Sequence, residues 1–175
     1  ITSMRSGSEK IIAIVKSKTH TLDRLNLKDN GIILVVEAPE KPGNIGALYR
    51  TAAAAKINSI IIANPKTDFY NPNVVRASIG HMFTLNLLSD STENIIKLLK
   101  KHNYQIILMD PDSEKLINNF QPENNFALVI GSEQYGISKK WHETECTKLK
   151  IDSLNDVDSI NASTAAAISM WELLK

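Results

Sequence analysis

The segment at residues 39–50 combines two glycines, an amide and a guanidinium group in a pattern that suits anion binding. Gly43 and Gly46 permit a tight turn, and the helix predicted after them presents unpaired N–H groups. Asn44 and Arg50 are six residues apart, so they converge only if Asn44 lies in the turn before the helix. A helix cap with a surface arginine explains the same residues. The segment matches neither a dinucleotide-binding fingerprint nor a Walker loop.

A second polar turn, Gly-Ser-Glu-Gln-Tyr-Gly, follows the apolar run at residues 126–130. Gly131 and Gly136 allow a ligand to lie against the backbone. The Glu133 carboxylate can orient a hydroxyl or an amine, or act as a general base. It can equally cap a helix that starts near Ser138, and the sequence leaves both interpretations open.

A third polar cluster, formed by Ser159, Asn161 and Ser163, precedes an alanine-rich C-terminal segment. Small residues there allow another backbone or a flat ligand to come close; they are Ala162, Ala165, Ala166 and Ala167. An N-cap on a tightly packed helix explains any one of the three polar residues equally well.

These three segments belong to a chain in which short apolar strands alternate with amphipathic helices. The pattern predicts strands at residues 11–15, 32–37, 58–64, 83–88, 104–110, 126–133 and 148–151, and helices at residues 47–56, 71–80, 91–102 and 161–175. This alternation predicts an α/β fold with a mainly parallel sheet flanked by helices. Such folds bind ligands at the carboxyl ends of their strands, so we expect the site where the three polar segments lie.

Composition narrows the class of protein. A length of 175 residues suits one domain, and 43% hydrophobic with 22% charged residues excludes a disordered chain. No apolar run is long enough to span a membrane, and the N-terminal residues do not resemble a signal peptide. The single cysteine, Cys146, excludes an intramolecular disulfide and favours a cytoplasmic location.

The net charge of +1 is low for a chain that binds nucleic acid by itself. Arginine is scarce among the basic residues, and the arginines are Arg5, Arg24, Arg50 and Arg76. Because arginine is used so sparingly, one that lies in a Gly- and Asn-rich segment suggests a need for its planar, two-pronged geometry.

Four motifs occur in a fixed order along the chain: PGNIGALYRTA at 42–52, NPNVVRASIGHMF at 71–83, GSEQYGIS at 131–138 and SINAS at 159–163. They match the patterns P-G-N-x-G-x-x-x-R-T-A, N-P-x-x-[VI]-R-x-S-x-G, G-S-E-x-x-G and S-[LI]-N-x-S. Over residues 31–175 the sequence therefore resembles the SpoU/TrmH-like branch of the SPOUT RNA methyltransferases.

The resemblance implies transfer of a methyl group from S-adenosylmethionine to a ribose 2′-hydroxyl of tRNA or rRNA. It also implies a deep trefoil knot near the C-terminus, and a homodimer whose active site is completed across the interface. Residues 31–175 would form the methyltransferase domain. Residues 1–30 are expected to be an N-terminal strand and linker, too short for the RNA-binding domain that many members carry. The near-neutral charge favours a catalytic domain separated from such a domain.

Site residues are likewise implied by position in the family motifs. The catalytic positions are Asn44, Arg50, Glu133, Ser159 and Asn161. The cofactor-binding positions are Gly131, Ser132, Glu133, Gly136, Ile151, Leu154, Ile160, Asn161 and Ser163. Arg50 and Arg76 would contact RNA, although a salt bridge within the fold explains Arg76 equally well. Since arginine has a pKa above ~12, phosphate binding by Arg50 is a safer assignment than proton abstraction.

Two alternatives remain open from the sequence. A knotted module that binds RNA or a nucleotide without catalysis is favoured by the acidic residues near the third motif, which are Asp152, Asp156 and Asp158. A dinucleotide-binding domain lacks its glycine fingerprint. His142 and Cys146 are four residues apart, but two ligands do not make a zinc site. Trp171 in the last helix is the best candidate for a dimer contact.

Overall fold

A computed structural model describes residues 16, 18, 20–22, 25, 31–57, 59–152 and 160–175. The strand predicted at residues 11–15, most of the N-terminal segment, and the predicted site residues Leu154 and Ser159 lie outside the described residues.

The described residues form a parallel sheet flanked by helices. The strands are β1 (Ile33–Glu37), β2 (Ser59–Ala63), β3 (Asn86–Asp90), β4 (Gln105–Met109), β5 (Phe126–Ile130) and β6 (Thr147–Leu149). The helices are α1 (Pro42–Ala54), α2 (Pro72–Ser78), α3 (Thr92–Lys101), α4 (Lys139–His142) and α5 (Ala162–Leu173), with one 3₁₀ turn at His81–Phe83. The predicted α/β class is confirmed.

The strand order of the six-stranded sheet is β3-β2-β1-β5-β4-β6, and every pair of neighbouring strands is parallel. Strand β1 lies at the centre, with Val36 aligned beside Ile62 on one side and Ile130 on the other. Dinucleotide-binding domains have the order 3-2-1-4-5-6 instead. Both the missing glycine fingerprint and this order therefore argue against a dinucleotide-binding domain.

The first four residues of the central strand are apolar because helices cover both faces of the sheet. Side chains of a strand alternate between faces. Leu34 and Val36 pack into one core with residues of α1, α2 and α5, whereas Ile33 and Val35 pack into a second core with residues of α3 and α4. All four side chains are at most 1% exposed. This two-sided burial explains the continuous Val/Ile/Leu runs of the sequence.

Two predicted boundaries were wrong. The helix predicted to start at residue 47 starts at Pro42, because proline is favoured in the first helical turn, where its missing N–H is not needed. The strand predicted at residues 83–88 starts at Asn86. Gly80 has a φ of 84°, and a 3₁₀ turn follows it, in which the Thr84 hydroxyl donates to the His81 carbonyl at 2.8 Å. The other predicted element ends either coincide with the observed ones or differ by up to three residues.

Helices α1 and α2 pack closely at a glycine of the first motif. A Cβ atom at Gly46 would lie 2.4 Å from the Ala77 Cβ and 2.8 Å from the Ser78 nitrogen. Any side chain at this position would force the two helices apart. The glycine thus fixes the position of the second motif relative to the first.

The chain returns from the edge of the sheet to its centre between β6 and α5, since α5 packs against α1 and β5. The expected trefoil knot depends on the path of residues 153–159, which lie outside the described residues. The knot therefore stays a prediction. Within the described part of the chain, no helix is both long and apolar enough to cross a membrane.

Candidate active site

The first and second motifs and the start of α5 meet at the carboxyl edge of the sheet, as the sequence predicts. The loop after β1 leads into α1, the loop after β5 forms the second motif, and α5 begins beside both. A cavity of about 240 Å³ lies between them. Its lining residues are Val36, Pro39, Glu40, Lys41, Asn44, Leu48, Gly131, Ser132, Glu133, Gln134 and Ala162.

Asn161 joins the three motifs. Its amide nitrogen donates to the Asn44 side-chain oxygen at 3.3 Å and to Glu133 Oε1 at 3.4 Å. Its amide oxygen accepts from the backbone N–H of Ser163 at 2.9 Å and so caps α5. The capping interpretation of Asn161 is confirmed, whereas its functional role stays a prediction, and the two are compatible because opposite ends of one amide would serve them.

Lys41 is a site residue that the sequence analysis missed. Its ammonium group lies 2.5 Å from Glu133 Oε2, and its side chain is 72% exposed against 23% for Glu133. Each carboxylate oxygen of Glu133 thus has its own partner, Lys41 on one side and Asn161 on the other. The position of Lys41 directly before the Pro-Gly-Asn motif, at the N-cap of α1, was the signal available in the sequence.

The alternative role of Glu133 as a helix cap is wrong. Helix α4 starts after Ser138, whose side chain makes no capping hydrogen bond, and the Glu133 carboxylate is bound to Lys41 and Asn161 instead. The geometry leaves the carboxylate at the wall of the cavity, where it can meet a ligand.

The second motif is a tight, internally bonded loop. The N–H of Ser132 donates to the Gly136 carbonyl at 2.9 Å, and the N–H of Gly136 donates to the Ser132 carbonyl at 3.0 Å. A Cβ at Gly131 would lie 2.4 Å from the Gly136 carbonyl carbon, so the turn requires glycine there. Gly136 has a φ of 64°, in the left-handed region. Such a loop holds Ser132 and Glu133 in place beside the cavity.

Arg50 does not join Asn44, Glu133 and Asn161. Helix α1 starts at Pro42, so Asn44 is its third residue rather than part of the preceding turn, and the condition for convergence with Arg50 is not met. Six residues of helix rotate the chain by about 600°, which puts the two side chains on different faces. Arg50 is exposed, and it has no hydrogen bond or ion pair within the part of the chain that the structure describes.

The remaining predicted residues are spread around the site. Arg76 lies in α2 and already interacts with another group of the protein. Ile151 packs against the first core, Ile160 is 40% exposed, and the Ser163 hydroxyl donates to the Asn161 oxygen at 2.6 Å. Of the predicted cofactor set, the cavity wall includes Gly131, Ser132 and Glu133.

A buried carboxylate at the end of β1 connects the strand before the first motif to neighbouring elements. Glu37 ends β1 and is 4% exposed. It accepts hydrogen bonds from the Asn64 amide at 3.0 Å, the Thr92 hydroxyl at 3.1 Å and the Trp141 indole N–H. A buried carboxylate needs such donors because it is otherwise poorly solvated. The network ties the strand that leads into the first motif to α3 and α4. This role was not predicted from the sequence.

One polar atom at the cavity is left for a ligand. The amide nitrogen of Asn44 is buried, and it has no hydrogen-bond partner within the described residues, although the Asn44 oxygen is bound by Asn161. Buried donors in native proteins are almost always paired. A ligand with an acceptor atom in this cavity would satisfy it.

The parallel sheet and the motifs that meet at its carboxyl edge define the α/β fold of the SPOUT methyltransferase class. Residues 31–171 match the profile of the SpoU rRNA Methylase family. The chain belongs to this family.

Two curated relatives illustrate the match. The chain is 31% identical over 184 residues to the 23S rRNA (guanosine-2′-O-)-methyltransferase RlmB of Blochmanniella floridana, an alignment that covers 100% of this chain and 72% of that protein. It is 25% identical over 172 residues to the 23S rRNA (uridine(2479)-2′-O)-methyltransferase of Streptomyces viridochromogenes. There the alignment covers 95% of this chain and 60% of the relative, so the chain spans only part of its relatives.

Solved structures agree on the fold. An RNA 2′-O ribose methyltransferase superposes with a TM-score of 0.79 at 32% identity, covering 87% of this chain and 58% of that one. A second structure is that of the SpoU methyltransferase AviRb of Streptomyces viridochromogenes in complex with the cofactor AdoMet. It superposes with a TM-score of 0.82 at 24% identity, covering 90% of this chain and 64% of that one.

Proposed function

We propose that the chain transfers the methyl group of S-adenosylmethionine to the 2′-hydroxyl of a ribose in rRNA or tRNA. The observation that carries the proposal is the bridge from Asn161 to both Asn44 and Glu133 beside one cavity. These three side chains come from three separate family motifs, and nothing in the packing of the core requires them to meet. Membership of the SpoU family and the names of the relatives support the same reaction.

The residues at the cavity suit the cofactor. Gly131 lines the cavity with backbone alone, the Asn44 amide nitrogen offers an unused donor, and Glu133 offers a negative charge to a cationic group. When bound there, S-adenosylmethionine supplies an electrophilic methyl group on a sulfonium sulfur. Gly131, Ser132 and Glu133 would hold it, together with the predicted residues of the third motif.

The protein's main contribution is to position the ribose. A neutral hydroxyl is a poor nucleophile, so its alignment with the methyl carbon accounts for much of the rate. The carboxylate of Glu133 has lone pairs left over after binding Lys41 and Asn161, and it accepts the hydroxyl hydrogen bond. The ribose oxygen would take the methyl group that the bound cofactor supplies, the cofactor would be left as a neutral thioether, and Glu133 or the substrate phosphate would accept the hydroxyl proton. The Arg50 guanidinium binds that phosphate.

The position of Arg50 supports the proposal of a homodimer. In one chain Arg50 does not reach Asn44 or Asn161, so we assign it to the site of a second copy. Ile168 and Trp171 of helix α5 are 37% and 73% exposed, and Leu174, directly after the helix end, is 37% exposed, so the three form an exposed apolar stripe. Residues spaced by three lie along one side of a helix. An exposed patch of this kind is typical of an interface. Trp171→Glu should give a monomer in sedimentation analysis.

Calorimetry and a methylation assay test the proposal. S-adenosylmethionine should bind the chain, and Arg50→Ala should retain that binding while losing most of the methyl transfer to total RNA. Binding of RNA with no heat from millimolar S-adenosylmethionine would favour the alternative, a knotted module without catalysis. Equal activity of the variant and the wild type would remove Arg50 from the reaction. The cytoplasmic location expected from the lone Cys146 stays a prediction.

A further inference from the structure

A second groove, with a volume of about 590 Å³, lies at the same carboxyl edge of the sheet as the candidate active site. Its floor is formed by the loop after β2 and by the N-terminal residues next to β3. The residues that line it include Lys18, His20, Lys66, Asp68, Phe69 and Tyr70. They lie outside the four family motifs, and the proposed reaction assigns no role to them.

Hydrogen bonds hold one wall of the groove in place. The His20 carbonyl accepts from the Ser89 N–H at 2.8 Å, and the His20 ring lies 2.7 Å from the Leu87 carbonyl and 3.2 Å from the Tyr70 hydroxyl. The ring also packs against Phe69 with a centroid distance of 4.4 Å. The aromatic wall therefore exists before any ligand arrives, which lowers the entropy cost of binding.

The groove adjoins the active-site cavity. The Thr67 hydroxyl, which lines the groove, donates to the carbonyl of Glu40 at 3.0 Å, and Glu40 lines the cavity. The β2–α2 loop and the first motif are thus one continuous surface. A polymer whose reacting unit lies in the cavity has to cross this loop or leave in the opposite direction.

The chemistry of the groove suits a single-stranded nucleic acid. Lys18 and Lys66 are exposed cations at the rim, and the half-buried rings of Phe69 and Tyr70 form an apolar wall. Asp68 is the one acid among the described residues that line the groove, and one of its oxygens accepts from the Tyr70 N–H at 2.6 Å. Sites for single strands combine cations that contact phosphates with aromatic rings that stack bases.

We propose that this groove binds the nucleotides next to the methylated one, with Lys18 and Lys66 on their phosphates and the aromatic wall against a base. This inference rests on the proposed function and specifies its substrate: the RNA must be unpaired beside the target ribose. A base-paired helix would hide the faces that the aromatic wall needs.

The test uses the whole chain and a labelled ten-nucleotide oligouridylate, with affinity measured by fluorescence anisotropy from 25 to 200 mM KCl. The groove variant is Lys18→Gln with Lys66→Gln. The matched control is Lys97→Gln with Lys101→Gln, which removes the same charge from the exposed side of α3. Log affinity falls as log salt concentration rises, and each lost phosphate contact reduces the magnitude of that negative slope by about 0.7. We expect a decrease of about 1.4 for the groove variant and little change for the control.

Equal slopes for the two double variants, or no binding of the oligouridylate by the wild type at 25 mM KCl, would overturn the proposal. Failure of the groove is distinguishable from failure of the proposed function. A wild type that methylates RNA, with a groove variant of unchanged KM and salt slope, would refute the groove alone. A wild type that binds the oligouridylate through Lys18 and Lys66 but neither binds S-adenosylmethionine nor transfers methyl would refute the proposed reaction alone.

Discussion

The side-chain amide of Asn161 donates to the side-chain oxygen of Asn44 at 3.3 Å, across 117 positions of sequence. The other end of the same amide caps α5. One residue therefore sets where the last helix begins and how the first motif faces the cavity. A change at Asn161 can be designed to separate these two roles.

Asn161→Asp should keep the fold and lose activity. Aspartate caps helices as well as asparagine, so the free energy of unfolding should change by less than about 0.5 kcal/mol. It has no N–H to donate, and its charge would repel the carboxylate of Glu133. We expect methyl transfer to fall at least tenfold, about 1.4 kcal/mol in the barrier. Asn161→Ala should also lose about 1 kcal/mol of stability. Full activity in Asn161→Asp would contradict the bridge.

Lys41→Met should reduce turnover without unfolding the chain. The exposed ion pair with Glu133 contributes less than about 1 kcal/mol to stability, but it fixes one oxygen of the carboxylate. We expect kcat to fall several-fold, with Lys41→Arg retaining most of it. Lys139→Met is the matched control, because it breaks an exposed pair with Glu143 away from the cavity. The same kcat in Lys41→Met and Lys139→Met would rule out a role for Lys41.

Gly46→Ala and Gly43→Ala form a matched pair in one helix. A methyl group at Gly46 would meet Ala77 and Ser78 below 3 Å, whereas one at Gly43 meets nothing within 4 Å. We expect Gly46→Ala to lose about 1–3 kcal/mol of stability by overpacking. Gly43→Ala should be neutral or gain up to about 1 kcal/mol from helix propensity. Urea denaturation measures both, and equal stabilities would show that α1 and α2 are farther apart than described.

Tyr49→Phe should remove a sensitivity to alkaline pH. Burial raises the pKa of the Tyr49 hydroxyl above its ordinary value, and this hydroxyl has no hydrogen-bond partner within the described residues. The folded chain thus holds the proton that the unfolded chain releases above about pH 10, so stability falls as the pH rises through that range. At pH 7 the variant should be as stable or up to about 1 kcal/mol more stable. Urea denaturation of both proteins at pH 7 and 10.5 should show a smaller loss for the variant.

The sequence was sufficient for the sheet, its helices and the polar segments that meet at its edge. Apolar strand patterns and motifs can be read directly from the sequence, and the structure contains the strands and the motif positions that they predict. The geometry of Arg50 was not predictable in this way, because it depends on the start of α1 at Pro42. A strand start was misplaced for a similar reason, since a turn after Gly80 takes up the residues that read as strand.

Contacts between distant elements were the larger omission. Lys41 and Glu37 are ordinary charged residues in the sequence, and only the folded chain shows that one binds Glu133 and the other accepts hydrogen bonds from three side chains. Such partners are brought together by strand order, which places β5 beside β1. No spacing rule along the sequence reports that neighbour relation.

The most direct test of the proposed reaction is nucleoside analysis after incubation of the chain with total RNA and S-adenosylmethionine that carries a deuterated methyl group. RNA digested to nucleosides should yield one labelled species whose added mass lies on the ribose in fragmentation, and Arg50→Ala should yield almost none. A label on the base, or no label in any nucleoside while the cofactor binds, would contradict the account.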